Sequence, residues 1–95
     1  MDIKVGGVIY TVKELPVVDI GGDRNYSGAC DYNQTTIELE EGLSDERKND
    51  VLFHEITHAI FYEAGFAEQD EDMINRVGKV ISQVFNDNPH LLSKE

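Results

Sequence analysis

VLFHEITHAI, residues 51–60, sets two histidines four positions apart with a glutamate directly after the first. Residues four apart on an α-helix lie one above the other on a single face, so His54 and His58 can converge on one metal ion. Glu55 is turned by about 100° from His54 and can reach a water held by that ion without binding the ion itself. This is the mechanical content of the H-E-x-x-H pattern. Zinc held there would lower the pKa of such a water toward ~7. Glu55 would take its proton as a polarised carbonyl is attacked, and then pass it to the leaving amine. The ordinary alternative is an amphipathic helix that merely carries two half-buried histidines. Val51, Leu52, Phe53, Ile56, Ile60 and Phe61 give the motif an apolar surround, and Thr57 and Ala59 keep the middle of the helix slim. Such a dry setting favours the metal.

The helix around the motif has clear ends. Ser44 can cap its free amides, and Asp45 and Glu46 place negative charge at the positive end of the dipole. The pattern runs to Ala64, where Gly65 is placed as the C′ residue. An acidic link, Glu68 to Asp72, opens a second helix, in which Met73, Ile74, Val77, Val80, Ile81, Val84 and Phe85 recur at helical spacing. Asn86-Asp87-Asn88-Pro89 breaks it.

Upstream the pattern is that of strands. Residues 2–5 and 8–18 are rich in Val and Ile, and Gly6-Gly7 between them is a two-residue hairpin signal. Gly21-Gly22-Asp23-Arg24-Asn25 reads as a mobile loop. Residues 28–40 read as a second hairpin turning near Asp31 to Gln34, with Thr36 to Glu40 alternating as a half-buried strand. Strands followed by helices predict an α+β fold, a small antiparallel sheet and then two packed helices, in one domain over residues 1–95.

A catalytic zinc site takes three protein ligands and leaves a fourth position open. His90 lies beyond Pro89, and Ala59 to Gly65 do not continue the motif into a third histidine. A carboxylate from Glu68, Asp70, Glu71 or Asp72 is therefore expected. Asp70 falls near the centre of the apolar stripe, with Glu71 and Asp72 on either side of it. Glu71 has the longer reach and is the choice, with Asp72 next; Asn75, one turn on, is placed to orient the ligand. For the rest of the cluster the expectation is a solvated helix N-terminus.

Composition narrows the partners. Nineteen acidic residues against eight basic ones give a net charge of -11, which repels nucleic acid and argues against direct binding to it. Cys30 is the only cysteine, so neither an internal disulfide nor a Cys-rich zinc cage is available. No stretch approaches the ~20 apolar residues of a membrane span, and the N-terminus lacks the pattern of a signal peptide. The expectation is a cytoplasmic protein without a membrane anchor.

Taken together, IKVGGVIYTV, CDYNQTTIELEEGLSDER, LFHEITHAIFYEAG and EDMINRVGKVISQVFNDNPHLL resemble the short phage and mobile-element metallopeptidases of the ImmA/IrrE-like, gluzincin type. HEITHAIFYEAG is the specific block; the others are supporting pattern. The resemblance implies a minimal zincin core with a strand beside the cleft, Zn²⁺ on His54, His58 and a downstream glutamate, and Glu55 as base. By position that glutamate is Glu71. It also implies a metalloendopeptidase acting on a peptide or protein substrate, such as a repressor of the mobile element. Gly78 departs from a good helix former and costs up to ~1 kcal/mol relative to Ala, unless it permits close helix packing. Tyr62, Tyr26, Tyr32 and His90 are the oxyanion candidates, each more readily read as a packing or surface residue.

Thr35 to Glu40, directly before the zinc helix, is the strand expected to receive an extended peptide, and the acidic surface favours a basic or unstructured target. Two rival classes are a zinc-stabilised interaction protein without turnover and an acidic nucleic-acid mimic. The first has no need of Glu55, and the second leaves HEITH unexplained. Composition leaves the oligomeric state open.

Overall fold

The computed structural model describes residues 1–92. Six strands precede two helices: β1 (Asp2–Val5), β2 (Val8–Leu15), β3 (Val18–Ile20), β4 (Asp23–Tyr26), β5 (Gly28–Asp31), β6 (Thr36–Glu40), α1 (Asp45–Glu63) and α2 (Glu71–Asp87), closed by a 3₁₀ turn at Pro89–Leu92. The fold is α+β, as the order of patterns predicts.

The sheet departs from expectation in one respect. Its order is β1-β2-β6-β5; β1 with β2 and β5 with β6 are antiparallel, but the central pair β2 and β6 is parallel. Thr11 stands opposite Thr36 and Leu15 opposite Glu40. The reason lies in what separates them. The run expected over residues 8–18 stops at Leu15, next to Pro16, which has no N–H for a ladder. The chain then makes a separate β3-β4 ribbon and β5 before returning beside β2. That ribbon replaces the loop expected at residues 21–25. Gly21 and Gly22 both have positive φ, 59° and 92°, the requirement of a type I′ hairpin turn, and Asp19 accepts a hydrogen bond from the Gly22 amide.

The two other hairpins fall where the sequence places them. Gly6 and Gly7 turn between β1 and β2 at φ 57° and 85°. Asp31 accepts from the amides of Asn33 and Gln34, an Asx turn that leads β5 into β6.

Ile37 and Leu39 of β6 point to one side of the sheet and, with Val5 and Tyr10, pack on Ala59 of α1, where Val51, Leu52 and Ile56 complete the layer. The Tyr10 hydroxyl, carried on a fully buried side chain, donates 2.7 Å to Glu63 at the end of α1. Ser44 caps α1 by accepting from the Arg47 amide. At the other end the amides of Gly65 and Phe66 reach the carbonyls of Tyr62 and Phe61, Gly65 has φ 103°, and the Phe61 and Phe66 rings lie 5.9 Å apart. This is a complete Schellman motif with its hydrophobic contact.

α2 does not bury the stripe that its pattern advertises. Ile74, Gly78 and Ser82 are its buried residues, whereas Met73, Val77, Val80, Val84 and Phe85 are all at least one-third exposed. A row of small residues lets the backbones approach closely, and that row sits to one side of the apolar stripe. Ser82 accepts from Asn49 of α1 and from Asn86. A Cβ on Gly78 would lie 2.9 Å from Oγ1 of Thr57. Thr57 is itself fully buried and held by a 2.7 Å bond to the Phe53 carbonyl, so it cannot give way. Gly78→Ala should gain up to ~1 kcal/mol of helix propensity and lose ~1–3 kcal/mol to overpacking. Urea denaturation is expected to show net destabilisation; a clear gain in stability would mean that the helices can separate at no cost.

Candidate metal centre

α1 carries His54 and His58 on one face, and the Schellman turn reverses the chain so that α2 starts beside them. Asp70 caps α2 by accepting from the Asp72 amide, which removes it from the candidate ligands. Asp72 faces Arg76 at 3.7 Å. Glu71 is the one carboxylate of the acidic link that reaches the histidines. Its Oε1 lies 2.9 Å from Nε2 of His54 and its Oε2 lies 3.4 Å from Nε2 of His58. The three residues offer ligand atoms all within 4.8 Å of one another. Three such donors gathered this closely could hold one metal ion with small side-chain adjustments.

The orientation of His58 is fixed by a residue that sequence reasoning did not single out. Gln69 places its amide oxygen 2.6 Å from His58 Nδ1. Its nitrogen donates to the carbonyls of His58 and Phe66, so the amide has only one consistent orientation. Nδ1 therefore carries a proton, which leaves Nε2, on the side of Glu71, as the nitrogen that can serve a metal ion. The Tyr32 hydroxyl also donates to the Gln69 oxygen at 3.3 Å, with the Tyr32 ring stacked on Tyr62 at 4.1 Å. Asn75, expected to orient the ligands, makes no hydrogen bond to them; it lines the neighbouring cleft instead. Gln69 sits in a short irregular link with no periodicity, so only the helix-reversing turn reveals it. Gln69→Ala should weaken metal binding by ~10–100-fold in a competitive chelator titration, with Asn75→Ala near wild type. Equal affinities for both variants would remove Gln69 from the support of the site.

Glu55 is buried at 7% exposure and projects from α1 toward β5. Burial pushes its carboxyl up to about 7, with the Glu71 charge adding to the rise and His58 opposing it. The carboxylate belongs to the wall of a cleft of about 480 Å³ together with His54. The cleft runs between α1, α2 and the start of β5. Gly28 forms its floor, because a Cβ there would lie 2.5 Å from Val51 Cγ1 and 3.2 Å from Glu55 Cγ. The glycine thus lets β5 pass directly beneath the glutamate.

Of the oxyanion candidates, Tyr26 lines this cleft, and Tyr32 and Tyr62 form the stacked pair beside Gln69. His90 is exposed in the terminal 3₁₀ turn and is not part of the cleft wall. The strand expected to receive a peptide is overturned: β6 lies inside the sheet with both edges paired, and the open edge nearest the cleft belongs to β5. Cys30, on β5, has its thiol pushed up to about 12, mainly by burial, and stays protonated. Among the described residues no helix is long and apolar enough to cross a membrane. No protein-family model, curated protein or solved structure matches this chain.

Proposed function

We propose that the chain is a zinc-dependent metallopeptidase in which His54, His58 and Glu71 hold the metal and Glu55 is the general base. The observation that carries this reading is the reach of Glu71, from a separate helix, to the Nε2 atoms of both histidines of the motif. Two histidines and one carboxylate leave a coordination position open, the donor set of a catalytic rather than a closed structural site. Zinc, when bound, supplies a Lewis acid that polarises the scissile carbonyl and acidifies a water.

The chain's own residues do the rest. Glu55, in a pocket that favours its neutral form, is poised to accept a proton near neutral pH and to give it to the leaving amine. Gln69 keeps His58 in the tautomer that presents Nε2. An extended peptide would lie along the open edge of β5, adding main-chain hydrogen bonds beside Glu55. A buried glutamate lining an open cleft favours this reading over a zinc-stabilised interaction protein, which would not require an ionisable group there. The ImmA/IrrE-like resemblance of HEITHAIFYEAG agrees with it and points to a regulatory protein of a mobile element as target.

The test is hydrolysis of unfolded casein by the zinc-loaded chain. Cleavage should stop on chelation with 1,10-phenanthroline and return with added zinc. Zinc uptake without any cleavage would replace the peptidase reading with that of an interaction protein.

A further inference from the structure

The cleft extends past His54 and Glu55 toward the start of α1, and its walls carry two cations, Lys79 beside the Gly78 that packs on His54 and Arg47 farther along. Arg47 comes from α1 and Lys79 from α2. Among the described residues neither forms an ion pair, whereas Lys48 is paired with Glu14 and Arg76 with Asp72. Lys4, Lys13 and Arg24 are likewise unpaired among those residues, but Arg47 and Lys79 are the two cations that line the cleft, in a chain of net charge -11. Asp50 is the one acidic residue lining the cleft besides Glu55.

We propose that the cleft selects a carboxylate of the substrate, attracted by Arg47 and Lys79 on its two facing helices; the proposal rests on the peptidase reading above. Arg47 precedes His54 by seven residues on the same helix, a rise of about 10 Å. An extended chain covers that in about three residues at ~3.3 Å each. The carboxylate therefore belongs within three residues of the scissile bond, as an Asp or Glu side chain or as the free C-terminus of a short peptide. Asn75 on α2 adds a neutral hydrogen-bonding group along the way. The acidic exterior repels a polyacidic peptide, so the pocket selects one carboxylate in an otherwise neutral or basic sequence.

Cleavage-site profiling tests this. Zinc-loaded wild type, the double variant Arg47→Gln/Lys79→Gln and the charge control Arg76→Gln are each incubated with one pool of synthetic peptides. Half the pool has amidated and half free C-termini, and cut bonds are read by mass spectrometry. Wild type and Arg76→Gln should enrich Asp or Glu within three residues on one side of the cut by about fivefold, the upper end for an exposed ion pair. The double variant should lose that enrichment. Enrichment in both halves identifies a side-chain carboxylate, and confinement of cutting to the free half, near its C-termini, identifies the terminal one. No carboxylate preference in wild type, or an equal preference in the double variant, overturns the proposal.

Should neither casein nor any peptide be cut, the peptidase reading fails and binding decides the pocket separately. A fluorescein-labelled Glu peptide and its Gln counterpart are then titrated with the zinc-loaded protein by anisotropy. A fivefold preference for Glu that the double variant loses sustains the pocket, and equal affinities reject it.

Discussion

Glu71→Gln is expected to lose zinc while the fold survives. The Glu71 side chain is 64% exposed, so in the metal-free protein its contacts with the histidines contribute little to stability. With metal it supplies the only anionic ligand of the three and the only one from α2. Its replacement should cost more than the ~10–100-fold that a supporting residue costs. The consequence for heat stability is large. At free zinc of 100 Kd the wild type gains ~2.7 kcal/mol, and a site 100-fold weaker gains only ~0.4 kcal/mol at the same zinc. For a domain of this size each kcal/mol moves Tm by roughly 4–8 °C. Calorimetry with and without zinc should therefore show a rise of about 10–20 °C for wild type and only a few degrees for Glu71→Gln. Equal rises would place the third ligand elsewhere, with Asp72→Asn the next variant to measure.

Glu55→Gln should separate binding from chemistry. The amide is nearly isosteric, so the path of β5 over Gly28 and the positions of His54 and His58 are kept, and zinc content should match wild type. General base catalysis contributes ~10²–10⁴-fold, and casein cleavage should fall by that factor. The metal-free variant also has a stability signature. A carboxyl whose folded pKa is raised destabilises the folded state above that pKa, and the effect disappears below the unfolded value. With burial as the main cause and a folded value of about 7, the glutamine variant should equal or exceed wild type in stability at pH 8. Its advantage should shrink as pH falls through 7 and vanish near the unfolded carboxyl pKa of about 4.3. Loss of activity accompanied by loss of zinc or of stability would instead make Glu55 a structural residue.

What could be read in advance follows from how local each signal is. His54, Glu55 and His58 are brought together by helical spacing alone, and Ser44 and Gly65 mark the helix ends by capping chemistry, so these were legible. The approach of Glu71 to the histidines was only partly legible, because four carboxylates, Glu68, Asp70, Glu71 and Asp72, follow the turn, and geometry was needed to see that Asp70 serves as a cap and Asp72 turns to Arg76. The parallel pairing of β2 with β6 was not, because alternation along a strand is the same whichever way its neighbour runs. The β3-β4 ribbon was missed because three residues on one side of Gly21-Gly22 give too little pattern. On α2 the apolar stripe pointed to the wrong contact line: Gly78 and Ser82 carry no hydrophobic signal, yet their small size is what brings α2 against Thr57. Gln69 acts through two carbonyls and one imidazole nitrogen, none of which leaves a spacing in the sequence.

The central claim is that His54, His58 and Glu71 bind one zinc ion, and zinc K-edge X-ray absorption on the zinc-loaded chain addresses it most directly. The expected result is one equivalent of zinc with two imidazole nitrogens at about 2.0–2.1 Å and oxygen donors at about 2.0–2.2 Å. A spectrum with a sulfur neighbour at about 2.3 Å, which only Cys30 or a methionine could supply, or one without imidazole scattering, would contradict it.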